Sequence, residues 1–245
     1  MIKQISERLG YVLTKNANDP DIKFAVKWET KGVGLEEYEY SYSGLIINNH
    51  TVNIAKTVMG NSFEKIFGYN INIDPKKYEG LAVQKGQGNA RHNGKLVKCP
   101  VKHPRVYSFG VRACYQIYID WKTEDGLYCQ EYRIPFIGGK IPLVYLKKKT
   151  EEQRWLAGCS ILELLKVSEA FSEEELIKIN EFCAEINLDY GELDILRDPA
   201  SNKIYIIDVN NAPFGPPSII SPEDKEHALN EIAFYFRKNL IEKEH

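Results

Sequence analysis

Four side chains in the stretch GELDILRDPASNKIYIIDVNNAP, residues 191–213, could do chemistry together: Glu192, Asp194, Asp208 and Asn210. They interrupt two runs of Ile, Leu, Val and Tyr at two-residue spacing, and side chains two apart on a strand share a face. The turn-rich DPASN, centred near Ser201, folds the runs into an antiparallel hairpin with Asp194 opposite Asp208 and Glu192 opposite Asn210. In that register all four fall on one face. Leu193, Ile195, Tyr205, Ile207 and Val209 fall on the other, which is the core face; a slip of one residue would undo the arrangement. Like charges facing each other across a ladder repel, so the pair makes sense with a cation between them. On that reading Asp208→Ala would even raise stability slightly in metal-free buffer. Hard divalent ions take oxygen donors, and Mg²⁺ commonly uses one or two carboxylates plus substrate phosphates. No Cys or His lies nearby, which disfavours zinc. A solvent-facing polar face would alternate in the same way and stays open as the alternative.

Further upstream, AVQKGQGNARHNG over residues 82–94 puts Lys85 at the end of an apolar run and a Gly/Asn-rich loop after it. A lysine there supplies a compact point charge. Gly86, Gly88 and Gly94 would let backbone amides approach an anion closely, although a loop of this composition is also an ordinary turn. The basic run Lys147, Lys148, Lys149 either faces a ligand or forms a solvated face. His92 and His103 lack metal-ligand spacing and read as ordinary polar residues.

The elements that must hold these residues follow from periodicity. Ile2, Ile5, Leu9 and Val12 have helical spacing over residues 2–13. Residues 21–52 are rich in Tyr, Ile and Val, with alternation at Tyr38, Tyr40 and Tyr42, and suit strands or extended loops. Residues 53–67 read as a helix with Val58, Met59, Phe63, Ile66 and Phe67 on one side and Gly68 as its left-handed terminator. LAVQK, KLVKCPV, ACYQIYID, YCQEYRIPFI and KIPLVYL read as successive strands parted by turn signals. Ser172 with Glu175 three residues on is a capping box that opens a helix burying Leu176, Ile179, Cys183 and Ile186. Ser221, Pro222 and Asp224 start a last helix carrying Leu229, Ile232, Phe236 and Leu240. The class is α+β, with a hinge near the middle.

The 245 residues suffice for one large domain or two small lobes. With 43% hydrophobic residues and 27% charged, the chain reads as soluble and globular. A formal charge of −2 gives no reason to expect nucleic acid or an anionic membrane as partner. No apolar run is long enough to span a bilayer, and MIKQISERLG lacks a signal peptide's apolar core. The five scattered cysteines, never spaced as CxxC, read as buried thiols of a reducing compartment, so the expected location is cytoplasmic.

Taken together, GELDIL…IYIIDVNNAP resembles the closing motif of the ATP-grasp superfamily, where an Asp on one strand and an acidic-x-Asn on the next hold two Mg²⁺ ions against ATP. The resemblance implies two α+β lobes clasping a nucleotide and makes Asp194, Asp208 and Asn210 the metal ligands, for Mg²⁺ or Mn²⁺. The family more often has Glu where this chain has Asp208, one methylene shorter. AVQKGQGNARHNG is similar to the family's lysine and flexible flap, which implies nucleotide contacts from Lys85, Gly86, Gly88 and Asn89, with Lys56 as a second lysine; the other reading of Lys56 is a solvated helix residue. YQIYID, residues 115–120, looks like the interlobe strand, with backbone near Gln116, Ile117, Tyr118 and Ile119 reading the adenine edge. EYRIPFIGGKIPLVYLKKKTEEQRW resembles the segment whose arginines serve the transferred phosphoryl group, here Arg133 and Arg154.

The resemblance covers roughly residues 53–240. It divides the chain into a short N-terminal segment or reduced pre-grasp domain (1–52), an N-terminal lobe with the flap (53–118) and a C-terminal lobe with the metal site (119–245). Family members usually carry a larger N-terminal domain. The loop NNAPFGPP lies where the second substrate enters. The implied activity is an ATP-dependent ligase that activates a carboxylate as an acyl-phosphate and joins it to an amine or thiol, releasing ADP and phosphate. The substrates would be small or peptide-like carboxylates and amines, and a homodimer is one open oligomeric state. A small-molecule kinase of the same fold and a nucleotide-binding module without turnover are the alternatives.

Overall fold

The structure is a computed structural model that describes residues 1–16, 18–28, 42–51, 53–88, 93–106, 112–156 and 158–242. Helix α1 spans Ile2–Leu9 and stops at Gly10, which adopts the left-handed conformation at φ 75°. The helix is therefore shorter than its apolar spacing suggests, and Val12 is 93% exposed. Ala25–Val26 (β1) and Ile46–Ile47 (β2) form a small parallel pair. Tyr38 and Tyr40 lie outside the described residues.

Helix α2, Lys56–Phe67, also ends on a left-handed glycine, Gly68. Met59, Phe63 and Phe67 recur at helical spacing and are buried, whereas Val58 points outward. Three strands follow: Gly80–Lys85 (β3), Lys95–Cys99 (β4) and Cys114–Ile117 (β5). They pair antiparallel in the order β4-β3-β5.

The remaining strands build a five-stranded antiparallel sheet. They are Cys129–Ile137 (β6), Val144–Lys149 (β7), Ile161–Leu165 (β8), Tyr190–Arg197 (β9) and Ile204–Asn210 (β10), in the order β10-β9-β6-β7-β8. Edge strand β8 has no counterpart in the sequence reading, because ILELL neither alternates nor is flanked by strong turn residues. The short helix α3, Val167–Ala170, leads into α4, Glu173–Glu185. Ser172 caps α4 as expected: its hydroxyl accepts from the Glu175 N–H while the Glu175 carboxylate accepts from the Ser172 N–H. Helix α5 spans Pro222–Phe236.

Strand alternation gives the large sheet two unlike faces. On one, Ile134, Phe136, Leu193, Ile195 and Val209 pack with Ile179, Phe182 and Cys183 of α4 in the main core. The other face is apolar at one end, where Ile137 and Tyr190 meet Ile5 of α1 and Ile232 and Phe236 of α5. Its remaining part is polar and turned toward the three-stranded sheet. Helix α2 closes the β10 edge, with Phe63 stacked on Phe67 at 4.3 Å and against Tyr205 at 5.9 Å. All five cysteines are free thiols; four are buried as expected, and Cys159 is half-buried. Among the described residues no helix is long and apolar enough to cross a membrane.

Candidate nucleotide and metal site

A cleft of about 390 Å³ lies between the polar face of the large sheet and the three-stranded sheet. One row of paired residues crosses four strands, and its members Arg133, Asp194 and Asp208 line the floor. Tyr145 on β7 pairs with Arg133 on β6, Arg133 with Asp194 on β9, and Asp194 with Asp208 on β10. One step along, Glu192 pairs with Asn210. This is the register expected from the sequence, but a β-bulge produces it. From Ile204 to Ile206 the pairing runs one residue out of step with that of Asp208, Val209 and Asn210. Two residues expected on the core face change register as a result, although Tyr205 stays buried in the main core and Ile207 packs against it. Ile207 lines the cleft. Tyr205 pairs with the cleft residue Leu196 and packs on α2.

The facing carboxylates are not bare. Arg133 grips Asp194 with a two-point fork, Nε to Oδ1 at 2.7 Å and Nη2 to Oδ2 at 2.9 Å. Lys56, at the start of α2, reaches Asp208 Oδ1 at 2.8 Å and the Gly88 carbonyl at 3.3 Å. The repulsion inferred from the facing aspartates is thus offset by the chain's own cations. Burial would push the Asp194 carboxyl up, but Arg133 and Lys147 outweigh it and hold it well below the usual carboxylate range. Lys56 is 8% exposed, so it is not the solvated helix lysine of the alternative reading. Nor do Lys147 and Lys149 form a solvated face: both are buried and both donate to Glu131. Lys148 projects from the opposite face and pairs with Glu163.

Lys85 reaches across from the three-stranded sheet and donates to the carbonyl of the bulged Ile207 at 3.1 Å. The bulge therefore sets the acidic register and also turns out an acceptor for the second lysine. Burial, reinforced by the neighbouring charge of Lys56, lowers the Lys85 pKa to about 8. The loop after Lys85 is anchored at both ends. Gln87 accepts from the Lys56 and Thr57 N–H groups through its carbonyl and side chain, capping α2, which has no side-chain cap of its own. The Gly86 N–H is held by the Asn93 side chain at 3.0 Å, so it is not a free anion donor. At Gly94 a Cβ would stand 2.8 Å from the Trp155 ring, so close ring approach accounts for that glycine. Asn89 and His92 lie outside the described residues.

The interlobe segment closes the other end. Gln116, Ile117, Tyr118 and Ile119 all line the cleft. The Ile117 and Tyr118 N–H groups already donate to the Ile71 and Leu81 carbonyls, which leaves the Ile119 N–H without a backbone acceptor among the described residues. Arg154 lies here and not at the acidic row. Its guanidinium donates to the Tyr118 hydroxyl at 2.8 Å and to Glu151 at 2.9 Å, and sits over the rings of Tyr118 and Trp121 at 4.8 and 5.4 Å. Trp121, Trp155, Leu156 and Phe214 also line the cleft and were not singled out by sequence. The signal for Trp155 was adjacency to Arg154; Phe214 lies in the NNAPFGPP loop. His103 is exposed, away from the cleft lining.

No Cys or His is among the described lining residues, and the polar floor supplies two carboxylates and an amide from Asp194, Asp208 and Asn210. Such oxygen donors fit Mg²⁺ or Mn²⁺ and not a thiophilic metal.

No family model matches the chain, and no curated protein matches it in sequence. Solved structures do match. D-alanine--D-alanine ligase from Bacillus anthracis, complexed with ATP, superposes with a TM-score of 0.60 at 14% identity, covering 98% of this chain and 89% of that one. The ATP-grasp ligase PsnB complexed with a minimal precursor gives 0.53 at 12% identity, over 80% of this chain and 65% of that one. PsnB with a phosphomimetic variant of the minimal precursor, Mg and ADP gives 0.51 at 13% identity, over 82% and 63%. The chain thus spans just under two thirds of the PsnB chains. Its fold is the α+β ATP-grasp fold.

Proposed function

We propose that the protein is an ATP-dependent ligase that activates a substrate carboxylate as an acyl-phosphate and passes the acyl group to an amine or thiol. One observation carries this reading: Lys56 and Lys85 converge with Arg133, Asp194, Asp208 and Asn210 on a single cleft. Fold-level likeness to ligases adds weight by analogy only.

In this scheme the adenine lies along Ile117, Tyr118 and Ile119, with Trp121 and the Arg154 cluster beside it. The triphosphate runs toward the acidic row. Asp194, Asp208 and Asn210 would hold two Mg²⁺, which when bound offset charge on the phosphate oxygens. Lys85 and Lys56 approach the phosphates from above, and Arg133 from the floor; fixed cations of this kind stabilise a transferring phosphoryl group. A substrate carboxylate oxygen attacks the γ-phosphorus, and the bond to the β-γ bridging oxygen breaks, releasing ADP. The amine nitrogen then attacks the acyl carbon, loses its proton, and expels phosphate.

The test is an ADP-release screen over carboxylate and amine pairs with Mg²⁺ present. The reading expects ADP, free phosphate and amide in equal amounts. A phosphoester without free phosphate would instead make the protein a kinase of the same fold, and Mg·ATP binding with no ADP release for any pair would make it a non-catalytic module.

A further inference from the structure

Four described carboxylates line the cleft: Glu131, Glu192, Asp194 and Asp208. Three have a cation within hydrogen-bonding distance. Glu131 has Lys147 and Lys149, Asp194 has Arg133, and Asp208 has Lys56. Glu192 differs. Its nearest cation is Arg133, with Nη1 4.0 Å from Oε2. Its Oε1 is buried without any hydrogen-bond partner among the described residues, and the residue is 3% exposed.

Two phenols share its surroundings. Tyr190 precedes Glu192 by two positions on β9 and so projects from the same face. Tyr145 belongs to that face through its pairing with Arg133. Both are fully buried just outside the cleft lining, and both hydroxyls lack a partner among the described residues. Buried polar atoms are nearly always hydrogen-bonded in folded proteins, so such groups call for an occupant. The other cations facing this spot are Arg133, Lys147 and the Met1 amino group, alongside the Asp194 carboxylate. The first two are engaged by carboxylates, and the third donates to the Phe214 carbonyl at 2.9 Å.

We infer that Glu192, with the hydroxyls of Tyr145 and Tyr190, forms a subsite for a substrate ammonium group, so that the carboxylate being activated belongs to an amino acid or an amino-terminal residue. An ammonium supplies three donors, which one carboxylate oxygen and two hydroxyl oxygens can accept. Two residues of strand separate Glu192 from Asp194, roughly 6–7 Å. That is the order of the span from an α-ammonium to a phosphoryl group on the same molecule's carboxylate. The surrounding cleft is rich in fixed cations, so an ammonium would find no other free carboxylate among the described lining residues.

The inference rests on the ligase reading for its substrate, and its test is a binding experiment that needs no turnover. With Mg²⁺ and a non-hydrolysable ATP analogue present, the protein is titrated with matched pairs: alanine and propionate, phenylalanine and 3-phenylpropionate, glutamate and glutarate. At least one amino acid should bind 30-fold or more tightly than its des-amino partner. Glu192→Gln should reduce that preference to about threefold or less while leaving affinity for the ATP analogue within twofold. Tyr190→Phe, which keeps the ring that packs on Phe236, should reduce it partly. A panel in which no amino acid outbinds its partner overturns the subsite, as does a folded Glu192→Gln protein that keeps the full preference. ADP release with des-amino carboxylates would in that case leave the ligase reading standing.

Discussion

The Arg133 guanidinium lies flat against the Asp194 carboxylate, with contacts of 2.7 and 2.9 Å across directly paired positions of β6 and β9. The fork makes Asp194 a carboxylate already bound to a cation. On the proposed reading, a divalent ion arriving with nucleotide would have to share that carboxylate with the guanidinium or release it. The Lys56 contact to Asp208 at 2.8 Å repeats the arrangement one strand away. Without ligand, then, the floor of the cleft is neutralised from within, and the cations that do so are the ones proposed to move onto phosphate.

Arg133→Ala removes one half of this pair and leaves Asp194 charged in a mostly buried place. The expected loss is about 3 kcal/mol, the low end for a broken buried pair, because the Arg133 side chain keeps 27% exposure. The pH dependence has a definite sign. The folded-state pKa of Asp194 is depressed, so the pair contributes stability above the unfolded value of about 3.9 and loses it as pH falls through the folded value. Urea unfolding from pH 7 down to pH 2 should show a steep acid limb in the wild type and a shallower one in Arg133→Ala. Adding Mg²⁺ with an ATP analogue should recover part of the loss at pH 7. Equal acid limbs would mean that the fork does not hold Asp194 ionised.

Asp208→Ala is expected to lose metal-dependent ATP binding and also to destabilise the ligand-free protein. Two facing aspartates alone would suggest slight stabilisation, from relief of repulsion. The structure reverses that sign, because Lys56 is 8% exposed, donates to Asp208 and adds repulsion to Lys85. Leaving it unpaired should cost about 3 kcal/mol. Adding Lys56→Met to Asp208→Ala should restore most of it, and thermal unfolding of the four proteins in the double-mutant cycle measures the coupling. A ligand-free Asp208→Ala protein as stable as wild type would refute the pairing.

How far the site is legible in the sequence depends on the reach of each signal. The oxygen face of the hairpin was legible because two-residue spacing survives any antiparallel register that puts Asp194 against Asp208. The bulge at Ile207 was not, and with it went unread that Ile207 also lines the cleft, although Tyr205 lies in the main core as expected. A bulge needs one extra residue, and nothing in IYIIDVN marks which one is extra. Helix caps were legible at Gly68, Ser172 and Ser221 because each depends on neighbours within four residues. The stop at Gly10 went unread because Val12 continues the apolar spacing by chance. Long-range charge pairing was invisible: Lys56 meets Asp208 across 152 positions, so its burial could come only from the fold. Edge strand β8 lacks alternation because all five of its residues are half-buried.

Gly94 offers a test of the cleft's apolar end. An alanine Cβ there would stand 2.8 Å from the Trp155 ring, inside any tolerable contact, so the ring must shift. Trp155 also stands beside the Arg154 guanidinium, 5.6 Å from the ring centre. Gly94→Ala should change the intrinsic tryptophan emission of the free protein and weaken nucleotide binding by roughly three- to tenfold, a loss on the order of 1 kcal/mol. Trp155→Leu in the same background removes the clash and should restore the affinity. If Gly94→Ala leaves both emission and affinity unchanged, the ring does not occupy this position in solution.

Lys85 gives the prediction with the clearest proton signature. Burial and the charge of Lys56 lower its pKa to about 8 in the free protein. A group depressed in this way disfavours the folded state while it stays charged. Its contribution to stability therefore rises with pH between about 8 and about 10.4, the ordinary lysine value, because the unfolded chain binds the extra proton across that window. Nucleotide binding should act in the opposite direction. A triphosphate beside Lys85 favours the ammonium, so at pH 8.5 the protein should take up a fraction of a proton as nucleotide binds. Calorimetric titration with Mg·ATP analogue in two buffers of different ionisation enthalpy reads that uptake directly. Lys85→Met should abolish it, weaken the affinity by tenfold or more at pH 7, and stabilise the ligand-free fold, since the variant no longer buries a charge held chiefly by the Ile207 carbonyl. Proton uptake that persists in Lys85→Met would assign the titration to another group and remove Lys85 from the phosphate site.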